Sequence, residues 1–193
     1  MKEIPGGTRR LGSAVTESRG WLAIGLGLLV GFVTSLAQGR PPGALDAFTN
    51  SASAWLIVAF VVGCLVRSLP HALVAGAATC VAELVGYYLT ASARGLGLGG
   101  SSMLALWVTC AVVGGPVLAA AGSWWRNGPL SIRHCAPLVL AACFAIEGVR
   151  YAVLLSAPSK AGLWLGIALA ITLAATWAGV TEARSTRVEP RES

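Results

Sequence analysis

Residues 21–38 read WLAIGLGLLVGFVTSLAQ, eighteen positions with no charged side chain. As an α-helix this run is about 27 Å long, close to the roughly 30 Å hydrocarbon thickness of a bilayer. It follows a polar start, MKEIPGGTRR, and ends without the small-residue cleavage pattern of a secretory leader, so it reads as a retained span. Five further apolar runs share its character: 52–66, 70–90, 103–122, 134–156 and 162–180. The second is short and is expected to borrow residues 48–51.

Composition agrees with six spans. Of 193 residues, 55% are hydrophobic and only 11% charged, with a mean hydropathy of +0.73. Soluble domains carry about 25% charged residues. The expected fold class is therefore all-α, a polytopic membrane protein with six transmembrane helices. It comprises an N-terminal tail (1–19), a transmembrane domain (20–181) and a C-terminal tail (182–193). Two lysines against twelve arginines, with abundant Ala and Gly, point to a GC-rich bacterial genome and hence to a bacterial plasma membrane.

The net charge of +6 is a topology signal and not a nucleic-acid footprint, since no basic stripe with interleaved aromatics is present. With the N-terminus inside, Lys2, Arg9, Arg10, Arg19, Arg67, Arg126, Arg133, Arg184, Arg187 and Arg191 fall on the cytoplasmic side. Only Arg40, Arg94 and Lys160 fall outside, and this asymmetry predicts that both termini are cytoplasmic. The outer connections are long and rich in Gly and Pro, which suits either a gate or an idle loop.

The five cysteines (Cys64, Cys80, Cys110, Cys135, Cys143) form no CxxC pair, and His71 and His134 fall at cytoplasmic helix ends as interfacial caps. No metal site, cofactor or nucleic-acid partner is expected. Phosphate-loop, HExxH and GxSxG patterns are missing, so an enzyme is the least expected class.

Two charges interrupt the fifth run, CFAIEGVRYAVLL (143–155). Glu147 lies nine residues from the outer end of that run, about 14 Å deep, and Glu83 on the third run lies about 10 Å deep. Charges at such depth face the bundle interior, a partner or a wet cavity. Helical spacing puts Glu147, Arg150 and Tyr151 on one stripe and Glu83 and Tyr87 on another, with Tyr88 further round. The element E-x-V-x-Y occurs at Glu83–Tyr87 and again at Glu147–Tyr151. Each copy follows a related run, WLIVAFVVG (55–63) and WVTCAVVGG (107–115), so helices two and three echo helices four and five.

Two main readings of these residues stand, beside a third in which Glu83 or Glu147 serves a proton-coupled carrier. In one, Arg150 bridges Glu147 or Glu83 and the charges brace the bundle. In the other, Glu83, Tyr87, Tyr88, Glu147, Arg150 and Tyr151 form an outward-facing substrate pocket between helices three and five. Two acids against one Arg would then favour a cationic ligand held against aromatic faces.

Helix one carries a ladder of small residues, Ala23, Gly27 and Gly31, that permits close helix contact, either inside the chain or with a partner. With this ladder, six spans, inside termini and no ATPase motif, residues 21–180 resemble the substrate-binding S-components of energy-coupling factor transporters. The resemblance implies capture of a small organic solute from outside. It also implies docking of Ala23, Gly27 and Gly31 on a transmembrane coupling subunit driven by an ATPase. The His-rich N-terminal motif of nickel and cobalt S-components is missing, which argues against those metals as substrate. The segments TNSASAWLIVAFVVG and AELVGYY also look like an uncharacterised family of bacterial integral membrane proteins. The competing expectation is a structural or accessory membrane protein in the same bilayer.

Overall fold

The computed structural model describes residues 7–97 and 99–188. Among these residues there are helices and no strands. In chain order they are α1 (Gly7–Ala37), a 3-10 stretch (Gly43–Asn50), α2 (Ala52–Leu65), α3 (Leu69–Ala93), α4 (Ser101–Thr109), a π turn (Cys110–Gly114), α5 (Gly115–Asn127), the short α6 (Leu130–Arg133), α7 (Ala136–Val153) and α8 (Pro158–Val188). Parts of both expected tails are helical, since α1 begins at Gly7 and α8 runs to Val188. The tail ends carrying Lys2 and Arg191 lie outside the described residues.

Five stretches are long and apolar enough to cross a bilayer: Gly20–Ala37, Leu69–Ala93, Ser101–Asn127, Leu130–Val153 and Pro158–Glu182. The chain is therefore a multi-pass membrane protein. A sixth crossing is supplied only if the 3-10 stretch and α2 count as one span, and these meet at a 59° bend. The expected helical extension of α2 back to residue 48 is thus replaced by a break at Ser51. That residue is extended (φ −101°, ψ 121°) and caps α2 by accepting from the Ala54 N–H.

Prolines set several other starts. Pro70, Pro116 and Pro137 occupy the first turns of α3, α5 and α7, where a missing N–H costs little. Pro116 also cannot donate to the turn before it, and the π turn sits there, dividing the fourth span into α4 and α5. The two halves differ: α5 is buried along most of its length, whereas α4 has no buried residue.

α3 is central, packing against α1, α2 and α5, while α7 packs on α8 and α2 crosses α5. The core is centred on the fully buried Trp164, with Phe48, Phe144 and Tyr151 around it at ring-centroid distances of 4.4, 6.1 and 5.9 Å. Large apolar side chains such as Trp21, Leu22, Ile146, Leu173 and Trp177 point outward, as in a helix bundle solvated by lipid.

The small-residue ladder of α1 is an internal seam. A Cβ added at Gly27 would meet the Thr79 carbonyl and lie 2.9 Å from the Ala82 Cβ. One added at Gly31 would collide with the Glu83 carbonyl and lie 2.7 Å from the Tyr87 nitrogen. Ala23 is buried on the same side. The docking surface expected from Ala23, Gly27 and Gly31 is therefore corrected: α3 of the same chain occupies that face, because backbone-to-backbone approach leaves no room for another helix.

At the end of the bundle opposite the 38–51 and 94–100 connections, Glu182 of α8 accepts from Arg133 at 3.3 Å and faces His134 Nε2 at 3.1 Å. These side chains are a quarter to two-fifths exposed, where ion pairs contribute under about 1 kcal/mol. Glu182→Gln is accordingly expected to leave the unfolding temperature of the purified protein nearly unchanged. A large drop would mean that the contact anchors α8.

Candidate functional site

The bundle opens into a cavity of about 1060 Å³ at the end that carries the 38–51 and 94–100 connections. Its walls come from the ends of α2, α3, α4 and α7 and from Gln38 and Gly39 after α1, with Leu96, Gly97 and Gly99 also lining it. Ligand cavities commonly measure about 300–1,000 Å³. The loosely held α4 supplies Met103, Leu106 and Trp107.

Five of the six residues anticipated for a pocket meet here: Tyr87, Tyr88, Glu147, Arg150 and Tyr151. The cavity aromatics Trp107, Tyr87 and Tyr88 are linked from behind the wall by Trp55. Trp107 stacks on Trp55 at 5.1 Å, Trp55 meets Tyr87 at 5.4 Å, and Tyr87 meets Tyr88 edge-on at 5.2 Å. The two tryptophans that open the echoed runs thus stack on each other. At the rim, the Tyr87 hydroxyl donates to Gln38 Oε1 (2.6 Å), and Gln38 Nε2 donates to Asn50 Oδ1 (3.0 Å). This chain ties α1, the 3-10 stretch and α3 together at the cavity mouth.

Glu147 does not pair with Arg150. Its Oε2 accepts from the Ser51 hydroxyl at 2.8 Å and from the Ser53 N–H at 3.1 Å. The carboxyl therefore sits on the first turn of α2, where free N–H groups and the helix dipole favour negative charge. The expected bridge from Arg150 to Glu147 or Glu83 is corrected accordingly. Among the described residues the ion pairs are those of Glu182, and Arg150, in the last turn of α7, is exposed at the cavity wall.

Glu83 is placed differently from the other five. It is fully buried and lines a separate recess of about 10 Å³, formed with Trp55, Cys80, Leu84 and Ala111 among others. Ala52, Leu56, Trp107 and Cys110 border both spaces, so the recess lies behind the cavity wall. Arg94, read from sequence only as an outer-loop charge, is a cavity residue that also donates to the Ser35 carbonyl. The charged lining is therefore Glu147, Arg94 and Arg150, one acid against two guanidinium groups. The surplus of negative charge expected from Glu83 and Glu147 is reversed, because one acid has left the wall and a second Arg has joined it.

Sequence reasoning also missed Ser51, Ser53, Gln38 and Trp107. Ser51 carried a usable signal, a hydroxyl residue directly before an apolar helical run. Among the described residues no cluster of His, Cys, Asp and Glu could hold a metal ion.

Comparison with known proteins returns no match among curated proteins or among solved structures. One family matches, DUF6518, described as a family of unknown function, over residues 12–190. That match covers both the bundle and the cavity, and the chain belongs to the DUF6518 family.

Proposed function

We propose that this membrane protein binds a small organic anion, a carboxylate with an apolar body, in the cavity at the 94–100 end of the bundle, as a step in moving that solute across the bacterial plasma membrane. The observation that carries the reading is the pairing of Arg150, exposed at the cavity wall with no ion-pair partner among the described residues, with the wall of Trp107, Tyr87 and Tyr88. A guanidinium offers a planar fork to a carboxylate, and aromatic faces accept an apolar body. The Glu147 carboxyl is already engaged by Ser51 and Ser53, so it offers a cation less than its charge suggests.

An energy-coupling partner docked on the α1 ladder is not retained, since α3 occupies that face. The rival reading, an accessory protein whose polar residues only brace the bundle, is favoured by the Ser51–Glu147–Ser53 contacts. The two part company in a thermal-stability assay in nanodiscs with 3-phenylpropionate and its amine counterpart, phenethylamine. Stabilisation by the carboxylate alone is expected, weakened about tenfold or more in affinity by Arg150→Gln. Equal response to both probes, or an unchanged response in Arg150→Gln, would refute anion binding. No response to either would favour the brace.

A further inference from the structure

We propose that Glu83 is a proton-exchange site within the membrane, separate from the solute cavity and reached through the wall formed by Trp107 and Cys110. The placement of the group is the argument. Glu83 is fully buried at the middle of α3, and apart from the weakly polar Cys80 thiol beside it neither of its carboxyl oxygens has a hydrogen-bond partner. The indole nitrogen of Trp55, which lines the same recess, has none either. A buried ionised carboxylate is strongly disfavoured without a cation or donors, so any charge on Glu83 demands a compensating change around it.

The chemistry of the recess selects a proton over a metal cation. Its side chains are those of Ala, Trp, Leu and Cys besides Glu83, so no second side-chain oxygen is available to replace a metal ion's hydration. The titratable neighbours are Cys80, one turn earlier on α3, and Cys110 from the π turn. α2 contributes Trp55 and Leu56, α1 approaches the backbone with Gly31, and the only charged residue of α5 is Arg126 at its far end. None of these supplies a counter-charge.

Access is built into the fourth span. Trp107 and Cys110 help separate the recess from the cavity and belong to α4, which has no buried residue, and to the π turn. A small swing of α4 about the π turn would expose Glu83 to the cavity and let its proton exchange. This inference does not depend on which solute the cavity takes.

The test uses dicyclohexylcarbodiimide, an apolar reagent that consumes protonated carboxyl groups in membranes. The acid proton moves to one carbodiimide nitrogen and a carboxyl oxygen bonds to the central carbon. The O-acylisourea then rearranges to a stable N-acylurea, so no atom is lost and no other reactant is needed. Purified protein in nanodiscs would be labelled across pH 5–9 without added solute, and the adduct on the Glu83 peptide quantified by mass spectrometry. An adduct at Glu83 is expected at low pH, falling about tenfold per pH unit once the acid ionises. Labelling of Glu147, held by two donors, is expected to stay low throughout. Glu83→Gln should remove the adduct, but the wild-type pH profile decides the question even if that variant does not fold. No adduct at any pH, or an adduct that does not change with pH, would overturn the proposal. Neither result bears on the response to phenylpropionate, so the two readings fail separately.

Discussion

Glu147→Ala is expected to destabilise the protein severely, with a drop of several degrees in unfolding temperature and loss of any solute-induced stabilisation. The carboxyl holds two donors, the Ser51 hydroxyl at 2.8 Å and the Ser53 N–H at 3.1 Å, and all three groups are buried. Each donor left unpaired in a buried site costs about 1–3 kcal/mol. The damage also falls on a vulnerable joint. Ser51 is where the 3-10 stretch and α2 meet at 59°, and α2 alone, with 14 residues, is about 21 Å long and too short to cross a bilayer. Loosening the first turn of α2 would free the 3-10 stretch, which carries Phe48 against Trp164 and Asn50 against Gln38.

Glu147→Gln separates charge from hydrogen bonding. Its amide oxygen can still accept from both donors, so most of the stability is expected to return. Thermal unfolding of the two variants in one lipid mixture checks this. If alanine is as stable as wild type, the carboxyl does not hold the joint. If glutamine is as damaged as alanine, the charge itself matters, through the dipole of α2.

The parts of this fold that were legible in sequence are those governed by local composition. Runs of uncharged residues locate spans because every lipid-exposed backbone group must be satisfied within its own helix. The shared stripe of Glu147, Arg150 and Tyr151 followed from counting residues. What counting could not give was direction across the bundle. Glu147 and Arg150 lie three residues apart and both line the cavity, yet they do not pair, because Ser51 and Ser53 compete successfully for the carboxyl. Glu83 and Glu147 sit in the same five-residue pattern but in different surroundings, one in an apolar recess beside the Cys80 thiol and one held by two donors. Arg94 looked like an ordinary loop charge because loop position hides which cavity a long side chain reaches. The π turn left a trace in the Gly114–Gly115–Pro116 sequence, since Pro116 removes the donor that a regular helix needs there.

Gly31→Leu is expected to abolish the folded bundle, while Gly25→Leu on the same helix should be tolerated. Both residues are glycines within one apolar span, and both substitutions add the same side chain. The difference lies in what they face. Gly25 has nothing within 4 Å of an added Cβ and is exposed, so a leucine there extends into lipid. At Gly31 an added Cβ would meet backbone atoms of α3, the Glu83 carbonyl and, at 2.7 Å, the Tyr87 nitrogen. Flexible side chains could give way, but a neighbouring helix backbone can relax only by moving as a whole. Overpacking typically costs about 1–3 kcal/mol where side chains can adjust, and more where they cannot. Moving α3 away from α1 would shift Glu83 and Tyr87 together, opening the recess and breaking the Tyr87–Gln38 contact at the rim. Size-exclusion profiles of both variants in detergent provide the measurement. A sharp peak for Gly25→Leu and aggregated or absent protein for Gly31→Leu are expected. Intact Gly31→Leu protein would show that α1 does not lie against α3, and the ladder would again be free to meet a partner.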